Sequence, residues 1–200
     1  MGGIFLGFLC AVGLLGLLGR LRARQLPPGG LGLACWALLA LTGLDGLNAF
    51  LFDGGLPHAY APNTPMRLLT GLAAGIGLAL LAVPIVAGVV WKAPSDEPAV
   101  DDPTELLAGV AAAGLLGGVL LVGPAPLLWP IALLMLSSVL VAFALANLYL
   151  VSLAQPRQAT QLSGLRGPLL SSLGLALLEL AALSALRGWL STTYGFTWGF

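Results

Sequence analysis

The chain has 200 residues, 58% of them hydrophobic and only 8% charged, with a mean hydropathy of +1.00 and a formal net charge of zero. Soluble domains carry about 25% charged residues, so this composition excludes a water-soluble globular protein. Eight Lys and Arg balanced by eight Asp and Glu also exclude a surface that tracks a nucleic-acid backbone.

Residues 2–19 form an unbroken apolar segment of about 18 residues, the lower end of what crosses a hydrocarbon core of about 30 Å. Arg20, Arg22 and Arg24 follow this segment rather than precede it, the reverse of the charge order in a cleavable signal peptide. It is therefore expected to remain as a first span with its N-terminus outside. Pro27, Pro28 and the pair Gly29-Gly30 mark a turn. A second span, 31–52, is interrupted only by Asp45 and Asn48, and the loop 53–65 is required by Gly54, Gly55, Pro57, Pro62 and Pro65.

The third span, 66–91, opens with Thr64 as a cap and Pro65 at the first helical position, and Pro84 inside it is expected to bend it by removing a backbone hydrogen bond. Residues 92–103 are polar and acidic. Asp102, Pro103 and Glu105 then make a capping-box start for a fourth span, 104–122. After a tight turn comes a fifth, 127–154, longer than a perpendicular crossing needs and accommodated by tilt. A loop carrying Arg157 and Arg166 leads to a sixth span, 168–190, and a tail whose Tyr194, Phe196, Trp198 and Phe200 have interfacial composition.

The expected architecture is thus all-α: one transmembrane domain over residues 1–200, a polytopic bundle of about six helices. Orientation follows from the basic residues. With the N-terminus outside, the inner loops hold Arg20, Arg22, Arg24, Lys92, Arg157 and Arg166, and the outer side holds only Arg67 and Arg187. That bias favours N-out, C-out, with the 53–65 loop on the outer face. Lys92 sits beside five acidic residues, Asp96, Glu97, Asp101, Asp102 and Glu105, but acidic groups count little in this rule.

Gly3 and Gly7, Gly71 and Gly75, and Gly114 and Gly118 share the GxxxG spacing that lets helix backbones approach closely. With 28 glycines in the chain, these pairs imply a compact bundle and no particular oligomer. Cys10 and Cys35 lie in apolar runs without CxxC spacing and read as small buried hydrophobes.

The intramembrane ionisable residues carry more information. A charged carboxylate at mid-membrane costs roughly 2.5–3.5 kcal/mol or more unless paired or protonated. Asp45 shares a helical face with Thr42, Asn48 and Phe52, so that face is expected to look into the bundle. Arg67, at the start of the third span, is the basic residue near the same depth, and an Asp45–Arg67 bridge pinning the second and third helices is the first reading. The others are a proton, ion or ligand site built on Asp45 and Asn48, and contacts to another subunit. Glu179, near the middle of the sixth span, is expected to be protonated, hydrogen-bonded to a group such as Asn147 or Ser184, or part of a pathway. His58, alone in the outer loop, is a weak metal candidate that only Asp53 could supplement.

The stretches LDGLN (44–48), PHAYAPN (57–63) and MRLLTGLAAG (66–75) resemble a family of uncharacterised bacterial membrane proteins. There, an Asp-Gly-Leu/Val helix end is followed by a loop and an Arg-Leu-Leu-Thr-Gly helix start. The opening GGIFLG (2–7) resembles the stretch that follows a Cys/Arg/Cys-Thr-Gly motif and an upstream Cys-His element in that family. This chain lacks those elements as written; either they are lost or its start lies further upstream. The resemblance covers about the first 90 residues and marks Asp45, Gly46, Arg67, Thr70 and Gly71. It implies a multi-pass protein of the bacterial inner membrane, without a known activity, and without the cysteines and histidine it transfers no metal or redox role.

Three functions are open to such a chain. The first is an integral accessory subunit that packs against other membrane proteins and catalyses nothing itself. The second is a small proton- or ion-coupled carrier or channel using Asp45, Asn48 and Glu179, although the halves show no inverted repeat. A membrane enzyme comes last: the chain has no HExxH, no Ser/His/Asp set and no glycine-rich phosphate loop followed by Lys, and no motif implies a cofactor.

Overall fold

The computed structural model describes residues 2–91, 93–154 and 166–194. Lys92, Arg157 and the tail aromatics Phe196, Trp198 and Phe200 lie outside the described residues. Six helices follow one another: α1 (Gly2–Leu17), α2 (Gly29–Asp53), α3 (Thr64–Val90), α4 (Pro103–Val122), α5 (Ala125–Ala154) and α6 (Arg166–Tyr194). Five of them, α2 to α6, are long and apolar enough to cross a membrane. The protein is a multi-pass membrane helix bundle. At 16 residues, or about 24 Å at 1.5 Å per residue, α1 is the short member.

The helices end where their sequences direct. Gly19 and Gly55 adopt left-handed φ of 72° and 66°, which a residue with a side chain adopts only at a cost. Each closes a Schellman motif, in which Arg20 N donates to Leu15 O and Leu56 N to Leu51 O. That is why α1 stops at Leu17, short of the expected residue 19. At the start of α3 the cap is Asn63, whose side chain accepts from Met66 N at 2.9 Å, so Thr64 is the first helical residue and not the cap. The expected start of α4 is observed: Asp102 caps Thr104 N at 2.8 Å, and Glu105 reaches back to Asp101 N at 3.3 Å. The hydrogen bonds from the Thr104 backbone and side chain hold the exposed Asp102 carboxyl pKa below its usual value.

At the centre of the bundle α3 is buried along most of its length and is packed by α1, α2, α4 and α5. Two of the three GxxxG pairs face each other. A methyl group added to Gly7 would collide with Leu72 O, one on Gly75 with Ile4 O, and one on Gly3 would stand 2.6 Å from Leu68 O. No hydrophobic force separates helix from lipid inside a bilayer, so dispersion contacts at this separation hold α1 to α3. On the other side Gly77 leaves room for the Cys35 carbonyl of α2, 2.6 Å from where a Cβ would sit. The third pair, Gly114 and Gly118 on α4, faces open space. Cys10 is half-buried and Cys35 buried, both as free thiols.

One feature departs from the all-helical expectation. The 18–28 connection and the acidic 91–102 connection pair through a two-stranded parallel ribbon, β1 (Ala23–Gln25) with β2 (Ser95–Pro98). Arg20 spans Asp101 and Glu105 at 3.0 and 2.7 Å, Arg24 pairs with Asp96, and the Arg22 guanidinium stacks 4.3 Å over the Trp91 ring. Two of the three arginines after α1 thus answer acidic residues after α3.

Glycine substitutions separate the closed and open GxxxG faces. Gly75→Ala should lower stability by about 1–3 kcal/mol, because the colliding atom is backbone and cannot rotate away. Gly118→Ala, with nothing within 4 Å, should leave stability unchanged or raise it by up to about 1 kcal/mol through helix propensity. Thermal unfolding in detergent, followed by circular dichroism, reads both.

Candidate functional site

The polar face of α2 lies against the first two turns of α3, with Asp45 and Asn48 buried and Thr42 half-buried. Asp45 sits about 12 Å below the end of its helix, a depth at which a bare carboxylate is not solvated. Two hydroxyls answer it. The Tyr60 phenol donates to Oδ1 in a short bond, and Thr70 Oγ1 lies 3.2 Å from Oδ2. Thr70 also stands 3.0 Å from the Met66 carbonyl of its own helix, so its single proton is shared between helix and carboxylate. One step below, Thr42 Oγ1 donates to the Thr70 carbonyl and ties the two helices a second time.

Asn48 completes the arrangement from one turn above. Its Oδ1 accepts from Ala59 N at 2.8 Å and Tyr60 N at 3.3 Å, while its Nδ2 donates to Tyr60 O at 2.9 Å. One amide side chain therefore satisfies three backbone groups of the loop and delivers Tyr60 to Asp45. Such groups would otherwise turn to water.

The expected Asp45–Arg67 bridge is not made: among the described residues Asp45 forms no ion pair, and Arg67 is exposed at the start of α3. The reason is geometric. A loop folded down onto α2 brings a phenol within reach of the acid, and a hydroxyl needs no desolvated charge opposite it. The Arg67 side chain acts on the site through its field. The bond to Asp45 is the main cause that raises the Tyr60 pKa above its usual value; desolvation and the carboxylate charge add to it, and the Arg67 charge opposes it.

Glu179 finds the partner expected for it. Asn147, buried on α5, donates from Nδ2 to Glu179 Oε2 at 2.9 Å, and this bond joins α6 to α5. His58 lies exposed in the loop, its Nδ1 3.0 Å from Leu56 O and its ring edge-on to Phe52. Among the described residues no three His, Cys, Asp or Glu side chains gather to hold a metal ion. Sequence reasoning missed Tyr60 and Thr70 as partners of Asp45, although both stand in stretches it singled out; Thr70 lies one helical turn after Arg67.

Comparison with known proteins matches the chain to no family model, no curated protein and no solved structure.

Two measurements test the site. Asn48→Ala should cost about 1–3 kcal/mol of stability, since it removes three hydrogen bonds to part-buried backbone groups of the loop, whereas Arg67→Ala should stay within about 0.5 kcal/mol of the parent. Because folding raises the Tyr60 pKa, the stability this phenol contributes is present below about pH 10 and is lost as pH rises through the folded value. The tyrosinate absorbance assigned to Tyr60, by difference from Tyr60→Phe, should therefore appear late in an alkaline titration and return to its usual range in Asp45→Asn.

Proposed function

We propose that the protein is a non-catalytic integral subunit or accessory protein of a larger membrane assembly. One observation carries this reading: each intramembrane carboxylate is engaged in a local interhelical lock, and the two locks belong to different helix pairs. Asp45 fastens α2 and its loop to α3, and Glu179 fastens α6 to α5. A carrier working through both acids would need them exchangeable and connected, whereas here each acid's described bonds hold helices in register. Interhelical hydrogen bonds of this type contribute modestly, about 0.6 kcal/mol on average, which suits a fastening role. The outward faces of α2, α4 and α6 are apolar and only slightly buried within the chain, a surface available to lipid and to neighbouring subunits.

We further propose the N-out, C-out orientation in a bacterial inner membrane, with the latch loop on the outer face. The resemblance of the 44–75 region to bacterial membrane proteins and the positions of the basic residues support it.

Native mass spectrometry of protein extracted from its own membrane should find it with other membrane proteins in fixed stoichiometry. An isolated monomer whose reconstituted proton-coupled flux vanishes in Asp45→Asn would overturn the reading in favour of a carrier. For orientation, Ala61→Cys in the exposed loop should react with an impermeant maleimide applied to intact cells stripped of the outer membrane. Reaction only from the cytoplasmic side reverses the topology.

A further inference from the structure

At the end of the bundle that carries the ribbon, α1, α3, α5 and the first turns of α6 enclose a partly open apolar cavity of about 310 Å³. That volume lies at the lower bound of small-molecule sites. Its wall includes Val12, Val86, Leu145 and Leu148, and Leu21 and Trp91 stand where the connections begin. Trp91 is the ring on which the Arg22 guanidinium lies. Arg20 and Arg24 each face carboxylates. Arg22 is different: among the described residues its partner is that ring face, which leaves the N–H edge of an exposed cation directed elsewhere.

A second observation comes from α5. Val141, Leu145, Leu148 and Ser152 follow one another on a single helical face, and the first three line the cavity. Ser152 is 7% exposed, and its hydroxyl oxygen, fully buried, has no hydrogen-bond partner among the described residues. A buried hydroxyl left unsatisfied costs free energy, and a serine in a helix ordinarily turns to the carbonyl one turn back. Ser152 itself stands one turn beyond Leu148 and outside the lining, so the end of the cavity nearest the ribbon combines an apolar slot with a cation stacked at the mouth.

We propose that this cavity takes one acyl chain of an anionic phospholipid, with Arg22 on its phosphate. The apolar slot matches a hydrocarbon chain, and the charge at the rim matches an anion. An indole under the guanidinium fixes the cation at the level where phosphates lie, as interfacial tryptophans do. The shared chemistry of the rim is recognition of a phosphate, and the occupant is the phosphate of a lipid because the slot beside it is apolar.

The test is native mass spectrometry of the whole chain released from nanodiscs of equal parts phosphatidylglycerol and phosphatidylcholine. The parent should retain one phosphatidylglycerol with a preference of about fivefold, the scale set by one interfacial arginine. Arg22→Gln should abolish the preference, Arg22→Lys should keep most of it, and Val86→Phe, which fills the slot, should reduce retention of both lipids. Equal retention by the parent, or an unchanged preference in Arg22→Gln, overturns the proposal. A parent whose phosphatidylglycerol is displaced by millimolar inorganic phosphate also overturns it, since the rim would then be a free-anion site independent of the slot. Should Arg22→Gln fail to fold, Arg22→Lys and Val86→Phe decide between the same outcomes.

Discussion

The bundle depends on the backbone-to-backbone approach of α1 and α3. In a bilayer the sequestration of apolar surface from water is already complete once helices are inserted, so association has to come from close packing and from a few polar bonds. Gly3 and Gly7 set against Gly71 and Gly75 bring main-chain atoms of the two helices into contact. Short as α1 is, most of its inward surface is engaged with α3, and Leu6, Ala11 and Leu15 are fully buried. From α1, Ser138 of α5 takes up the Phe5 carbonyl, and from α3, Gly77 admits α2. Of the remaining helices, α2, α4 and α5 pack on that pair, and α6 packs on α5.

The latch built on Asp45 and Asn48 solves a different problem. A loop rich in Pro and Gly satisfies little of its own backbone, and where it folds onto α2 the Asn48 amide takes up those groups. Asn48 supplies three bonds to Ala59 and Tyr60, and the loop in return supplies the phenol that makes the buried carboxylate tolerable. The acid and the loop are mutually dependent, and neither arrangement would be favourable alone. The Asn147–Glu179 bond plays a simpler part within the α5–α6 hairpin, where one amide meets one carboxyl.

Hydropathy made the helices legible, because an apolar run of membrane length leaves few alternatives. Asp102 with Glu105, and the i, i+3 spacing of Asp45 and Asn48, likewise stated their roles openly, since caps and helix faces are local. The partners of Asp45 were not legible, because charge complementarity pointed to Arg67 while the neutral donors Tyr60 and Thr70 depend on how a loop folds back. The β1–β2 ribbon was hidden for a similar reason: three or four residues of strand, paired across two intervening helices, leave no periodicity to detect. Of the three GxxxG pairs, spacing alone could not tell the two engaged ones from the open one on α4.

The ribbon also has a consequence for biogenesis. Arg20 precedes its partner Asp101 by 81 residues, so two further helices must emerge before the acidic connection exists. While the first two helices emerge, the arginine cluster therefore has no acidic partner in the part of the chain already made. Only later does the nascent chain supply Asp96, Asp101 and Glu105, whose ion pairs with Arg24 and Arg20 tie the two connections together.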